Sequence, residues 1–301
     1  MKAPVIFISS LLVWGFSQAQ NGVLVLQTDF GVKDGAVAAM KGVAMKVSAN
    51  LKIFDLTHEI PAFNIWEAAY RLEQTSVYWP EGTVFVSVVD PGVGSERKSI
   101  VAKTKSGHYF VTPDNGTLTL VAKSLGIEAV RIIDEKINRL KRSGRSNTFH
   151  GRDVFAYTAA RLASRIISFQ QVGPELTAAM VMIPYQVPFL KNGILTGGIP
   201  ILDTQYGNVW TNIPDTLLKQ LNISFGDSLN VDIFQNSVLK FNGIIPFVKT
   251  FSGVSEKADL CYLNSLLNLA LATNQGNFAK AHGIKSGPGW TIEVSKKSRH
   301  P

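Results

Sequence analysis

The sequence predicts an α/β protein in two parts: an N-terminal domain with a largely parallel central sheet, and a small C-terminal all-β, barrel-like domain. Three observations carry that expectation. Apolar runs of strand length alternate with segments of helical periodicity through the first half of the chain. Beyond Asn192, short strand-like runs separated by turns replace them. The 301 residues, 46% hydrophobic and 17% charged, suffice for two packed cores and do not fit a disordered chain.

Taken in order, the chain opens with "MKAPVIFISSLLVWGFSQAQ": a Lys at position 2, an apolar stretch from Pro4 to Phe16, and small residues around Ala19. This is the pattern of a secretory signal peptide over residues 1–19, too short for a membrane span. No Cys follows it, which argues against a lipoprotein. The mature chain is expected to be periplasmic or secreted with no membrane attachment, and cytoplasmic if the leader reading is wrong. "GVLVLQTDFG" is a strand ending in Thr28-Asp29-Phe30-Gly31. Val37, Met40, Val43, Ala44 and Val47 follow at helical spacing. "LKIFDLTH", "GTVFVSVVD" and "AVRIID" read as further strands, and "SIVAKTKSGHYFVTPDNG" as a hairpin and turn. "NIWEAAYRLEQTSVYW", "TLTLVAKSLG" and "GRDVFAYTAARLASR" read as helices. The N-terminal domain is assigned residues 20–186 and the C-terminal domain 192–301, where "GILTGGIPILDTQYGNVWTNI", "SLNVDIF", "SVLKFNGIIPFVKTF" and "TIEVS" carry the strand signal. One further helix is expected between Ser265 and "NQGN".

The totals exclude several function classes. The formal charge of +8 raises nucleic-acid binding, but the basic residues are scattered, and "RLKRSGR" and "SKKSRHP" lack interleaved aromatics, so no nucleic-acid partner is expected. A single cysteine, Cys261, excludes an internal disulfide and a multi-Cys metal centre, and reads as a small buried hydrophobe.

Chemistry-bearing residues gather at strand tips. Ligands bind at the carboxyl ends of parallel strands, where Asp29 and Asp90 stand. A carboxylate there can accept both hydroxyls of a ribose diol, although Asp29 reads equally well as a turn or cap residue. Asp90 is followed by Pro-Gly-Val-Gly and then Arg97, a turn that lets the guanidinium return to the carboxylate, as a structural ion pair or as a functional one. "NTFHGRDVF" sets His150 at a helix start, with Arg152 and Asp153 as first-turn charges. "ILDTQYGNVWTNI" brings Asp203, Tyr206, Asn208 and Trp210 together, suiting an adenine edge and its faces or a plain hairpin with a core Trp.

Together, "TDFG", "DPGVGSER", "PDNG", "FHGRD", "GNVWTNI" and "YLNS…NQGN" resemble, in order and spacing, the S-adenosylmethionine hydrolase (adenosine-forming) family, also called SAM hydroxide adenosyltransferase and related to fluorinase and chlorinase. The resemblance covers roughly Val23 to Val294. It implies hydrolysis of S-adenosyl-L-methionine to adenosine and L-methionine without metal or organic cofactor, by an Asp–Arg–His set that falls on Asp90, Arg97 and His150. It further implies that Asp29 holds the ribose diol, and Asp203 and Ser265 the methionine end. Asn208 and the backbone near Gln275 would read adenine, with Phe63, Tyr206, Trp210 and Phe251 as walls. The implied assembly is a homotrimer with sites between subunits. Two departures stand out: Leu266 replaces an Arg of the halogenases, and Trp66 competes with Phe63 for the wall. The halogenases place a Ser where this chain has Gly151 and lack the Asp–Arg–His set, which puts the chain on the hydrolase side. The alternatives are a halide-using enzyme on the same scaffold and a non-catalytic adenosine-binding envelope protein.

Overall fold

The computed structural model describes residues 21–297; the expected signal peptide lies outside the described residues. The N-terminal half runs β1 (Val23–Thr28), α1 (Ala36–Val47), β2 (Lys52–Thr57), α2 (Ile65–Ser76), β3 (Val84–Val88), β4 (Ser99–Thr104), β5 (Tyr109–Pro113), α3 (Thr119–Leu125), β6 (Ile127–Ile132) and α4 (Tyr157–Ala163). Its six-stranded sheet has the order β2-β1-β3-β5-β4-β6. β2, β1, β3 and β5 are parallel; β4 pairs antiparallel with both β5 and β6.

β1 and β3 are buried along their whole length because both faces of the sheet are covered. Leu24, Leu26, Val84 and Val86 pack against Met40 and Ala44 of α1 and Ala159 and Leu162 of α4. Val25, Phe85 and Phe110 face the other way, against Leu72 of α2 and Val121 of α3. Phe85 and Phe110 stack with centroids 4.9 Å apart. Each such buried side chain contributes roughly 1.5–3 kcal/mol, so it is this two-faced burial that fixes the sheet and the strand tips on it. α2 starts at Asn64, whose side chain accepts from Glu67 N at 3.0 Å, and α3 stops at Gly126 with φ +63°.

The C-terminal half comprises β7 (Phe189–Lys191), β8 (Ile194–Ile199), β9 (Ile201–Leu202), β10 (Val209–Pro214), α5 (Asp215–Gln220), β11 (Ser228–Gln235), β12 (Val238–Pro246), β13 (Asp259–Leu263), β14 (Asn268–Thr273), α6 (Phe278–His282) and β15 (Gly287–Lys296). The expected antiparallel strands form two sheets, β12-β11-β15-β8-β7 and β13-β14-β10-β9, around one apolar core rather than a closed barrel. Two short helices, α5 and α6, complete this antiparallel β unit. Cys261 is fully buried in this core, and its thiol is pushed up by burial.

The helix expected after Ser265 is a strand, β14. "NLALAT" fits either period, and turn chemistry decides. The Asn264 carboxamide oxygen accepts from Leu266 N at 3.0 Å and Asn268 N at 3.1 Å, while Leu267 takes φ +59°. That closes a β13–β14 hairpin.

Candidate functional site

β3 delivers Asp90 just past its carboxyl end, and the turn beyond explains how Arg97 returns. Val93 N donates to Asp90 O at 3.2 Å, and Ser95 N to Gly92 O at 3.0 Å. A Cβ on Gly92 would sit 3.3 Å from both Arg97 Cγ and Ser95 Oγ, and Gly94 has φ +79°, so both glycines let the turn close tightly. Arg97 Nε donates to Asp90 Oδ1 at 3.0 Å, and Arg97 Nη2 to Asp90 Oδ2. Nη1 donates to Ser99 Oγ at 2.8 Å, and the guanidinium lies 5.3 Å over the Phe155 ring. The side chains of Asp90 and Arg97 are only 4% and 11% exposed. Burying two charges costs about what their attraction returns, so such a pair adds little net stability and is more readily explained by chemistry.

His150 opens a wide π-type segment over Gly151–Ala156 that leads into α4. Arg97 Nη2 reaches His150 Nδ1 at 3.1 Å. A guanidinium donates only, so Nδ1 accepts and the neutral ring carries its proton on Nε2. That Nε2 is buried without a partner among the described residues. Burial holds the His150 imidazole below its ordinary range; Glu135 opposes this, Arg97 and Arg139 reinforce it, and Asp90 opposes it. Arg152 and Asp153 stand in the first turn of this segment and pair with each other. Asp153 is fully buried and takes Arg152 Nε at 2.7 Å and Nη2 at 3.0 Å, while Arg152 also lies 4.8 Å over Phe149. They brace the loop that carries His150.

Asp90 and His150 line one cavity of about 250 Å³ with Asp29, Phe30, Phe63, Phe149 and Gly151. Asp29 Oδ2 accepts from Phe63 N at 2.9 Å, holding Phe63 at φ +66° with its ring 69% exposed. Of the two candidate wall residues, Phe63 borders the cavity. Trp66 does not: it is buried at the join between the halves, donating to Pro200 O at 2.8 Å with its ring 5.3 Å from Tyr185.

The remaining candidates sit in the C-terminal half, Trp210 on β10 and the others in its turns, and do not border this cavity within the chain. Asp203 Oδ1 accepts from Gln205 N at 3.0 Å and Tyr206 N at 3.3 Å, and Oδ2 faces Asn208 Nδ2 at 3.5 Å. Gly207, at φ +69°, closes this turn where a Cβ would fall 2.1 Å from the Asn277 carboxamide. Tyr206 stands 63% exposed. Trp210 pairs across Ala270 with Tyr262, so two aromatics flank a small residue on one sheet face. Phe251 packs on Tyr262 at 5.1 Å. Ser265 is exposed in the β13–β14 hairpin, next to Leu266. Gln275 takes φ +52°, donates to Glu256 Oε1 at 2.8 Å, and its carbonyl accepts from Lys257.

Sequence reasoning passed over Ser99, Phe155 and Tyr262. Only Ser99 left a signal, standing two residues beyond Arg97 at the start of a strand.

Residues 24–173 match the family described as SAM hydroxide adenosyltransferase N-terminal domain, and residues 197–291 the corresponding C-terminal domain. An (R)-S-adenosyl-L-methionine hydrolase of Methanocaldococcus jannaschii is 36% identical over 86% of this chain and 90% of its own length. One from Salinispora tropica is 33% identical over 86% and 93%. A fluorinase of Actinoplanes sp. is 28% identical over 92% and 98%. The crystal structure of an uncharacterized conserved protein from Thermotoga maritima is similar at a TM-score of 0.82 and 35% identity, covering 90% of this chain and 99% of that one.

Proposed function

The chain belongs to the SAM hydroxide adenosyltransferase family, and from that premise we propose that it is an enzyme hydrolysing S-adenosyl-L-methionine to adenosine and L-methionine. One observation supports this above the rest: the Asp90 carboxylate, the Arg97 guanidinium and the His150 imidazole form one connected cluster at the cavity that Asp29 also borders.

The oxygen of water or hydroxide attacks the ribose 5′ carbon. The carbon–sulfur bond breaks, its electron pair stays on sulfur as the neutral thioether of methionine, and the proton of an attacking water passes to Asp90 or to solvent. The leaving group needs no help, so catalysis consists of stabilising and aiming the nucleophile. Arg97 supplies positive charge from a side chain only 11% exposed, and the His150 Nε2–H, without a partner among the described residues, is read as a donor to the nucleophile's oxygen. Asp90 fixes the guanidinium plane through two bonds. Alignment of oxygen, carbon and sulfur supplies up to roughly 7 kcal/mol of the barrier reduction.

In this reading Asp29 takes the ribose diol and Phe63 the near wall. The methionine and adenine contacts come from Asp203, Tyr206, Asn208, Trp210, Phe251, Ser265 and the backbone at Gln275. Because those residues do not border the catalytic cavity of their own chain, we propose a homotrimer in which each site joins the N-terminal half of one subunit to the C-terminal half of the next. We also read residues 1–19 as a cleaved leader and the mature chain as periplasmic or secreted, which N-terminal sequencing of the fractionated native protein tests.

The deciding experiment is turnover of purified mature chain in oxygen-18 water. One label in the 5′ hydroxyl of adenosine is expected. Adenosine binding without turnover, or a 5′-halo product with added halide, refutes the hydrolase reading. The relatives' names specify the (R) form, so both epimers at sulfur are to be supplied.

A further inference from the structure

A second chain of hydrogen bonds runs toward the same cavity without bordering it. Lys41 Nζ on α1 donates to Asp55 Oδ2 on β2 at 2.6 Å. Asp55 Oδ1 lies 3.0 Å from His58 Nε2. His58 Nδ1 lies 2.8 Å from Thr28 Oγ1 at the end of β1. Thr28 Oγ1 accepts from Phe30 N at 3.2 Å, and His58 O accepts from Gly31 N at 2.7 Å. Thr28 is fully buried and His58 is 4% exposed.

The donors and acceptors fix one direction along this chain. A carboxylate only accepts, so His58 Nε2–H donates to Asp55. In the neutral ring Nδ1 then accepts from the Thr28 hydroxyl, whose oxygen is left to take Phe30 N–H. Every member is satisfied, and each bond polarises the next. Two of the bonds end on backbone N–H groups of Phe30 and Gly31, the two residues that directly follow Asp29. Asp29 and Phe30 border the cavity; Thr28, Asp55 and His58 do not.

We propose that the Asp55–His58–Thr28 chain is a positioning device for nucleoside binding: it holds the Asp29–Gly31 segment where the Asp29 carboxylate meets a vicinal diol and Phe30 backs the loop carrying His150. This rests on the reading of Asp29 as the ribose contact. The three residues touch no reacting atom and act through Asp29 and Phe30. Phe30 meets Phe149 edge to face at 5.9 Å, and its ring would lie 3.1 Å from a Cβ on Gly151, so a shift of this segment reaches both sides of the cavity.

The test is a double-mutant cycle on the full mature chain, with S-adenosyl-L-methionine turnover and adenosine binding as readouts. Thr28→Val keeps the shape and removes the hydroxyl. It is expected to raise KM, and to weaken adenosine binding, by about tenfold with kcat within about twofold, the size of one lost positioning bond. Thr28→Ser is expected to restore both. Asp29→Ala is expected to raise KM further, and adding Thr28→Val to it to change KM by much less than it does in the parent chain, because the device acts on KM chiefly through Asp29. Asp55→Asn, at a half-exposed position that does not threaten folding, is expected to raise KM in the same sense. Additive effects of Thr28→Val and Asp29→Ala, or equal losses in kcat and kcat/KM, overturn the proposal by marking Thr28 as purely structural. A raised KM in Asp29→Ala with wild-type KM in Thr28→Val refutes the positioning chain alone. An unchanged KM in Asp29→Ala refutes the ribose reading and this proposal with it.

Discussion

Arg97 Nη2 stands 3.1 Å from Nδ1 of His150, and because arginine only donates, this contact decides the chemistry of the ring. The neutral imidazole carries its hydrogen on Nε2, which is buried without a partner among the described residues and is, in our proposal, the donor to the nucleophile. Among the three clustered side chains, the proton acceptor in our proposal is Asp90, whose oxygens retain lone pairs beyond the two bonds from Arg97.

Arg97→Lys removes the fork that grips both oxygens of Asp90. A lysine places one strongly hydrated charge where a plane of donors stood. Single-turnover kinetics are expected to show a loss of about 10²–10³ in the chemical step, the size typical of one lost donor to a developing charge. Arg97→Ala leaves a carboxylate that is 4% exposed without its cation. Denaturant titration is expected to show a destabilisation of about 3–5 kcal/mol.

The acid limb of kcat/KM is expected at a pH below 6.5, the ordinary histidine value, since burial disfavours the charged ring of His150. Protonation there puts a hydrogen on Nδ1 and turns the contact with Arg97 from attraction to repulsion. Stability moves the same way. As pH falls below 6.5 the unfolded chain takes up this proton first, so folding free energy declines from there through the folded-state pKa. In His150→Gln the amide still accepts and donates but does not titrate, so this limb should vanish while some activity survives. A pH–rate profile of both proteins, with thermal melts at each pH, checks the pair of effects.

Gly151→Ser is expected not to yield a halogenase. A Cβ at this position would lie 3.1 and 3.2 Å from the Phe30 ring and 3.4 Å from that of Phe149. Phe30 must move to admit it, at a cost of roughly 1–3 kcal/mol for overpacking. Hydrolysis should fall by tenfold or more, and chromatography with added chloride or fluoride should show no 5′-halo-adenosine.

Mixing two inactive proteins tests the shared site. Asp90→Asn disables the N-terminal contribution and Asp203→Ala the C-terminal one. If each site draws on two subunits, co-refolded mixtures contain some sites with both halves intact. Activity well above that of either parent is expected, with a trimer mass by light scattering. A single-chain site would give no rescue.

Much of this architecture can be read from local patterns. β1 and β3 are buried on both faces and mostly apolar because helices cover the sheet on either side, and each hands an aspartate to its tip. The return of Arg97 to Asp90 is encoded within eight residues by Pro91, Gly92 and Gly94. What stayed hidden depends on contacts between distant segments. His58 appears in the sequence only as the last residue of a strand-like run, and its partner Thr28 reaches it only through the pairing of β1 with β2. Phe155 looks like any helix hydrophobe until Arg97 lies over it. β14 reads as a helix because alternating Leu and Ala satisfy both periods, and the Asn264 turn that settles it leaves no periodic trace.

Cys261, sealed at 0% exposure inside the C-terminal sheets, is the chain's sole thiol. An aromatic disulfide reagent therefore has nothing to react with until that half of the molecule opens. The rate of thiol labelling in native buffer becomes a clock for local opening, read from a single sulfur that nature installed. Added adenosine should slow the clock to the extent that ligand binding clamps the sheet edge next to it.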